Sequence, residues 1–250
     1  MKPSNIESSS ETRKDKSADP SAVPNAPRAV FFDAAGTLLR LRHPVGTQYA
    51  KIAAQFNLTL DPQALESAFQ QQWQLMPPQN PGAPIPDDGK AWWRQLAFAT
   101  LDSLDLPEPV ATPTRNDWFE GLYAFYAQPR AWTPYPDVID TLTHLSRLPD
   151  LTLGIISNWD GRLRTVLDGH QLSPFFDHIT ISSELGYSKP HPEIFHTTCR
   201  LAGVAPEDSL HVGDHPLHDW KGAADARLQI FPLDRSTRDL TELIETLPGT

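Results

Sequence analysis

Two hydrophobic rhythms divide this chain. Residues 29–32, 151–156, 178–181, 209–212 and 228–231 are short runs rich in Ala, Val, Leu, Ile and Phe. The first has no polar break, which predicts a strand covered on both faces of a parallel sheet, and the others predict further strands. Between and after the later runs, amphipathic stretches predict helices over 137–147, 160–169, 192–201 and 217–226, and near 239–247, with Gly203 as the stop of the third. Strand and helix alternate, which predicts an α/β fold, a doubly wound parallel sheet. No internal repeat is visible.

The stretch between the first two runs is purely helical in rhythm. Val45, Tyr49, Ile52 and Phe56 share one helical face, and Leu65, Phe69 and Trp73 another. Asp61-Pro62 supplies an N-cap and a proline at the first helical position. Five prolines between Pro77 and Pro86 mark a loop. More helix is expected over 91–104 and 117–127. Parallel crossovers are usually far shorter, so residues 43–130 are expected to form an inserted all-helical cap. The core would then be 28–42 and 131–250. Residues 1–27, rich in Ser, Pro, Lys and Glu, are expected to be a disordered tail. That tail has no apolar run of the secretory kind, and Glu7, Glu11, Asp15 and Asp19 disagree with a transit peptide.

Charge and composition narrow the function. The formal net charge is -10, with no long basic run. General nucleic-acid or anionic-membrane binding is therefore not the expected role. No apolar run approaches the ~20 residues of a membrane span. Cys199 is the single cysteine, so an internal disulfide and a cysteine zinc site are excluded. It lies on an amphipathic stretch and reads as a packed thiol, in keeping with a cytoplasmic setting. No Gly-x-Gly-x-x-Gly follows the first strand, which argues against dinucleotide binding.

Chemistry collects where strands end. Asp33, Ser157-Asn158 and Gly213-Asp214 each follow an apolar run, and in a parallel sheet those ends share one edge. Gly36 permits a tight turn after Asp33, and Thr37 offers a hydroxyl there. Taken alone, Asp33 could equally start a turn or cap a helix. Asp214 and Asp219 flank a loop that turns from strand to helix. Three acids at one edge would repel one another, a conflict that a hard divalent cation resolves, Mg²⁺ rather than zinc. A helix cap at Asp214 and a solvated Asp219 stand level with that reading. His215 and His218 lack a third nitrogen or sulfur partner for zinc. Lys189 lies in Lys189-Pro-His-Pro192, where two prolines would fix its ammonium; an ordinary surface lysine is the alternative. Trp73, Trp92, Trp93, Trp118, Phe119, Tyr123 and Tyr126 are read first as cap core, with one or two lining a substrate cavity as the alternative.

Asp33-Ala-Ala-Gly-Thr37 resembles motif I of the haloacid dehalogenase-like (HAD) hydrolases, usually Asp-x-Asp-Gly-Thr. Ser157, Lys189 before Pro190, and Gly213-Asp214 with Asp219 are similar to motifs II, III and IV, in the right order, across about residues 28–232. The fuller wording through Leu38-Leu-Arg-Leu-Arg-His-Pro44 is similar to one subgroup whose members also vary the second acid. The resemblance implies a Rossmann-type core with a helical cap and hydrolysis of a small phosphorylated metabolite. It implies that Asp33 is the nucleophile and that Ser157 and Lys189 bind phosphoryl oxygens, with Thr37 and Asn158 beside the substrate. It also implies Mg²⁺ on Asp33, the backbone carbonyl of Ala35, Asp214 and Asp219.

Ala35 stands where the family's second Asp protonates the leaving group. Losing such a group typically costs about 10²–10⁴-fold, roughly 3–5 kcal/mol of barrier. His43 or His215 could substitute for it. A catalytically impaired binding or regulatory protein is the second reading, and a metal-independent 2-haloacid dehalogenase the third. Phosphonatase chemistry would need a cap lysine, and Lys51 and Lys90 are the only ones available.

Overall fold

The computed structural model describes residues 26–80 and 82–247. The expected tail, 1–27, lies outside the described residues apart from Ala26 and Pro27. In chain order, β1 (Ala29–Phe32) and β2 (Leu39–Leu41) precede four helices, α1 (Val45–Ala53), α2 (Pro62–Leu75), α3 (Lys90–Asp102) and α4 (Thr112–Tyr126). Then come β3 (Trp132–Pro134), α5 (Val138–Leu145), β4 (Thr152–Ser157), α6 (Arg162–Gly169) and β5 (His178–Ile181). The chain closes with α7 (Ser182–Leu185), α8 (Pro192–Ala202), β6 (Ser209–Gly213), α9 (Gly222–Asp225), β7 (Gln229–Pro232) and α10 (Glu242–Thr246).

Five strands form one parallel sheet in the order β5-β4-β1-β6-β7. β1 is central because none of its side chains can tolerate water. Val30 and Phe32 enter a core shared with α5, α6 and α10, while Ala29 and Phe31 enter a core shared with α8 and α9. From β1 the chain steps outward to β4 and β5, then returns to β6 on the other side. The strand order reverses between β1 and β6, so a crevice opens at their carboxyl ends.

The four helices α1–α4 bury a hydrophobic cluster of their own, centred on Tyr49, Leu65, Leu101, Trp118, Phe119 and Leu122. Asp61 caps α2 as its sequence predicts, accepting from the backbone N–H groups of Gln63 and Ala64. Gly203 ends α8 with φ of 66°.

The structure corrects the strand list. The sequence pattern predicts no strand over 39–41 or 132–134. Instead β2 pairs antiparallel with β3, Leu39 opposite Pro134 and Leu41 opposite Trp132. This ribbon carries the chain out to the four helices and back. The expected helix over 217–226 is a π-helical turn, Pro216–Lys221, running into the short α9. The helix expected from residue 117 begins a turn earlier, at Thr112.

A glycine fixes the close approach of α1 and α2. A Cβ at Gly46 would lie 2.1 Å from the Pro62 carbonyl oxygen and 2.5 Å from the Glu66 nitrogen. Helix propensity alone favours alanine at such a position by about 1 kcal/mol. Here overpacking, typically about 1–3 kcal/mol, opposes it. Gly46→Ala should therefore lower the urea midpoint of unfolding; a raised midpoint would refute this packing.

Candidate active site

The strand register brings the candidate residues together. Phe32 sits opposite Ile155 of β4 and Val212 of β6, so Asp33, Ser157 and Asp214 emerge side by side. The Asp33 N–H donates to the Val212 carbonyl at 2.8 Å, which keeps the chain in sheet geometry up to the carboxylate.

Lys189 arrives from the loop before α8 and is buried. Its Nζ lies 2.6 Å from Asp33 Oδ1 and 2.6 Å from Asp219 Oδ1. The Ser157 hydroxyl donates to the same Asp33 oxygen at 3.3 Å. Asn158, expected beside the substrate, spends its side chain on the Lys189 backbone. Its Nδ2 donates to the Lys189 carbonyl at 2.9 Å and its Oδ1 accepts the Lys189 N–H at 2.7 Å.

Thr37 is fully buried and its hydroxyl donates to Asp214 Oδ1 at 3.2 Å. Two glycines make room for the carboxylates. Gly36 has φ of 90°, and a Cβ there would sit 2.5 Å from Asp214 Oδ2. A Cβ at Gly213 would sit 2.3 Å from the Asp219 carboxyl carbon. Asp33, Asp214 and Asp219 each offer a carboxylate oxygen, all within 4.8 Å of one another.

Burial separates these acids. Desolvation pushes the Asp33 carboxyl up to about 6; the Asp219 and Asp214 charges add to this and Lys189 opposes it. Burial also raises Asp214, helped by the charge of Asp219. Asp219 pays the same desolvation penalty, but the Lys189 ammonium and a hydrogen bond from His211 outweigh it and hold the carboxyl well below the usual range. Burial would strip the proton from Lys189, yet Asp219 and Asp33 more than offset this and raise its pKa.

Several contributors were not found from the sequence. His211, buried on β6, places Nε2 2.9 Å from Asp219 Oδ1, and desolvation lowers its pKa, so the ring is neutral and donates. Asn80 and Asp88 reach the site from the proline-rich loop. Asn80 Oδ1 accepts the N–H and the hydroxyl of Ser188, at 2.6 and 2.9 Å. The Asp88 carboxylate accepts the Gly161 N–H at 2.7 Å and the Ser183 hydroxyl at 2.5 Å. Asp160 and Arg162 form a buried bidentate pair, and the Arg162 guanidinium lies 3.8 Å from the Tyr123 ring centre.

The remaining sequence candidates are placed as follows. Ala35 and His43 are exposed. His215 Nδ1 accepts the N–H groups of Leu217 and His218, and its ring stacks on His218 at 4.0 Å. Lys51 is exposed, and Lys90 pairs with Glu120 at 2.6 Å, so neither is a buried amine. Cys199 is buried, as expected of a packed thiol. Trp118 and Phe119 are core, whereas Trp73 is 46% exposed. Among the described residues, no helix is long and apolar enough to cross a membrane.

Comparison with known proteins shows what the chain and its fold are similar to. A family model described as haloacid dehalogenase-like hydrolase matches residues 27–227. The chain is 32% identical over 230 residues to haloacid dehalogenase-like hydrolase domain-containing protein 3 of Bos taurus, covering 89% of this chain and 90% of that protein. The fold is similar to the magnesium-bound HAD-hydrolase YfnB of Bacillus subtilis, with a TM-score of 0.65, 20% identity, and coverage of 89% of this chain and 99% of that one. It is also similar to a HAD phosphatase of Thermococcus onnurineus, with a TM-score of 0.62, 24% identity, and coverage of 88% and 98%.

The raised Asp33 carboxyl has a consequence for stability. Its ordinary value is 3.8 and its folded value about 6. Between these pH values the folded state holds a proton that the unfolded state has released, so stability falls as pH rises through the window. Asp33→Asn has no such loss. In chelator, the native protein should lose on the order of 1–3 kcal/mol relative to Asp33→Asn between pH 4 and pH 7. Parallel stability profiles across that range would show that Asp33 is not strained by burial.

Proposed function

The chain belongs to the haloacid dehalogenase-like hydrolases, and within that family we propose that it is a Mg²⁺-dependent phosphomonoester hydrolase that forms a covalent phosphoryl intermediate on Asp33. One observation carries the reading. Lys189 and Ser157 both bond Asp33 Oδ1, and among the described residues nothing donates to Oδ2. One carboxylate oxygen is thus oriented and the other left for chemistry.

The donor set fits Mg²⁺. It consists of oxygens only, and three carboxylates face a single ammonium. Burial raises Asp33 and Asp214; the charge of Asp219 adds to this at both, and Lys189 opposes it. Asp33, Asp214 and the Ala35 carbonyl would hold the ion, with Asp219 behind them. Asp219 is already occupied by Lys189, His211 and the His215 N–H. When bound, the ion neutralises charge on the transferring phosphoryl group and on its acceptor.

The chain's own groups do the rest. Asp33 Oδ2 attacks phosphorus, and the bond to the leaving oxygen breaks as the acyl-phosphate bond forms. Lys189 and the Ser157 hydroxyl, released from Oδ1, are placed to bind the phosphoryl oxygens. Water then cleaves the acyl phosphate and returns the carboxylate. The substrate class supported is a small phosphorylated metabolite, chosen by groups on the helical segment over the crevice.

The exposed Ala35 favours a second reading, a protein that binds phosphorylated ligands with little turnover. An exposed position accepts a carboxylate without repacking, so the two readings can be separated. With Mg²⁺, the native protein should hydrolyse para-nitrophenyl phosphate, and Asp33→Asn should not. Ala35→Asp should raise hydrolysis of an alkyl phosphate by about 10²–10⁴-fold and of para-nitrophenyl phosphate by less, because nitrophenolate leaves without a proton. A silent native protein beside an active Ala35→Asp would establish the binding reading. Silence from both would sink phosphoryl chemistry, and chelator-insensitive halide release would put dehalogenation in its place.

A further inference from the structure

Arg235 lies in the segment after β7 and was not a candidate from the sequence. Its guanidinium makes a three-way junction. Nε and Nη2 both donate to the Thr37 carbonyl, at 3.0 and 2.5 Å. Nη1 donates to Asp137 Oδ2 at 2.6 Å. The flat face covers the Tyr135 ring, 4.1 Å from its centre. Side-chain exposures of Arg235 and Asp137 are 10% and 12%, so this pair is screened little by water.

The junction sits at a particular place in the fold. Thr37 lies just before β2, and Tyr135 and Asp137 lie just after β3. The Tyr135 N–H also donates to the Leu38 carbonyl at 3.1 Å. Arg235 therefore ties together the roots of both strands of the ribbon and binds them to the end of the chain. Asp137 is held in turn, because its Oδ2 also accepts the Leu240 N–H at 2.6 Å.

Thr37 faces two ways. Its carbonyl is gripped by Arg235, and its hydroxyl donates to Asp214. On the other side of that turn, Gly36 packs so closely that a Cβ would touch the Asp214 carboxylate. A shift of the turn by a few tenths of an ångström would therefore be felt by Asp214. Lysine could not reproduce the junction, since a fork with two donors on one oxygen and a third on a carboxylate needs a guanidinium.

We propose that Arg235 is a positioning residue of the site: through the Thr37 carbonyl it fixes the hydroxyl that orients Asp214, and so sets the affinity for the divalent cation. The inference rests on the metal-dependent reading above. Partners that orient a ligand carboxylate in this way typically control metal affinity by 10–100-fold.

The test measures Mg²⁺ binding by calorimetry, without substrate, so turnover does not enter. Arg235→Gln alone would leave the Asp137 charge buried and unpaired, so it is combined with Asp137→Asn. The pair should weaken Mg²⁺ binding by about tenfold or more. Thr37→Val removes the hydroxyl and should weaken binding similarly. Adding the pair to Thr37→Val should then change little, because both act through one contact. Arg238→Gln is the control. Arg238 is a neighbouring arginine that bonds Glu242 and the Pro232 carbonyl and does not touch Thr37, so its variant should bind Mg²⁺ as the native protein does. Unchanged binding in the paired variant, an additive effect on top of Thr37→Val, or an equal loss in Arg238→Gln would each overturn the proposal. Failure of the native protein to bind Mg²⁺ would overturn the metal reading itself, and is visible before any variant is made.

Discussion

The Lys189 ammonium, buried between two carboxylates, is the contact on which the site depends. A buried ammonium keeps its charge on condition that neighbouring carboxylates offset the burial, as Asp219 and Asp33 do here. Asp219 meets that condition by accepting from Lys189 and His211 on one oxygen and from the His215 N–H on the other. Its charge is fully engaged. Asp33 shares Lys189, among the described residues nothing donates to its second oxygen, and burial raises its pKa. Two acids of the same type are thus driven apart, a division common where carboxylates do chemistry and the one that our proposal uses, with Asp219 as anchor and Asp33 as nucleophile. Buried ion networks are weak sources of stability, so the gain here is geometric.

The four motifs are braced from two directions. Ser157 and Lys189 are steadied from the helical side. Asn80 grips Ser188, next to Lys189, and Asp88 grips Gly161, four residues beyond Ser157. Asp87 and Asp88 have φ of 57° and 55°, conformations that non-glycine residues avoid. The contacts explain why they persist, since the Asp87 carboxylate accepts the Ala91 N–H while that of Asp88 bonds the core. Asp214 is contacted instead from the segment after β7, where Arg235 holds the carbonyl of Thr37 and the Thr37 hydroxyl donates to Asp214. Division of the chain into a cap at 43–130 and a core at 28–42 and 131–250 is our proposal; the ribbon of β2 and β3 is where such a division would hinge.

What could be read in the sequence was whatever local pattern determines. Ala29–Phe32 is covered on both faces, so its strand shows as an unbroken apolar run, and the carboxylate after it stands out. β2 and β3 were invisible because each is three residues long and carries exposed or half-exposed positions such as Arg40 and Thr133. Their stability comes from pairing across about ninety residues of chain, which leaves no local trace. His211 looked like a routine polar position in a strand; its partner Asp219 comes within reach only because the π-helical turn brings residue 219 back over β6. Asn80, Asp88 and Arg235 lay in segments whose prolines or polar residues signal loop and nothing more.

The exposed Ala35 also constrains how a leaving group could be protonated. His43, one substitute suggested by the sequence, is exposed on the chain leading out of the crevice. His215 is closer to the acids, since its own N–H bonds Asp219. Its ring is committed differently. Nδ1 accepts two backbone N–H groups, so any proton it carries sits on Nε2. Those two bonds and the stacked ring of His218 fix the orientation of the imidazole. The turn that positions Asp219 through the His215 N–H is thus the same turn that fixes the His215 ring.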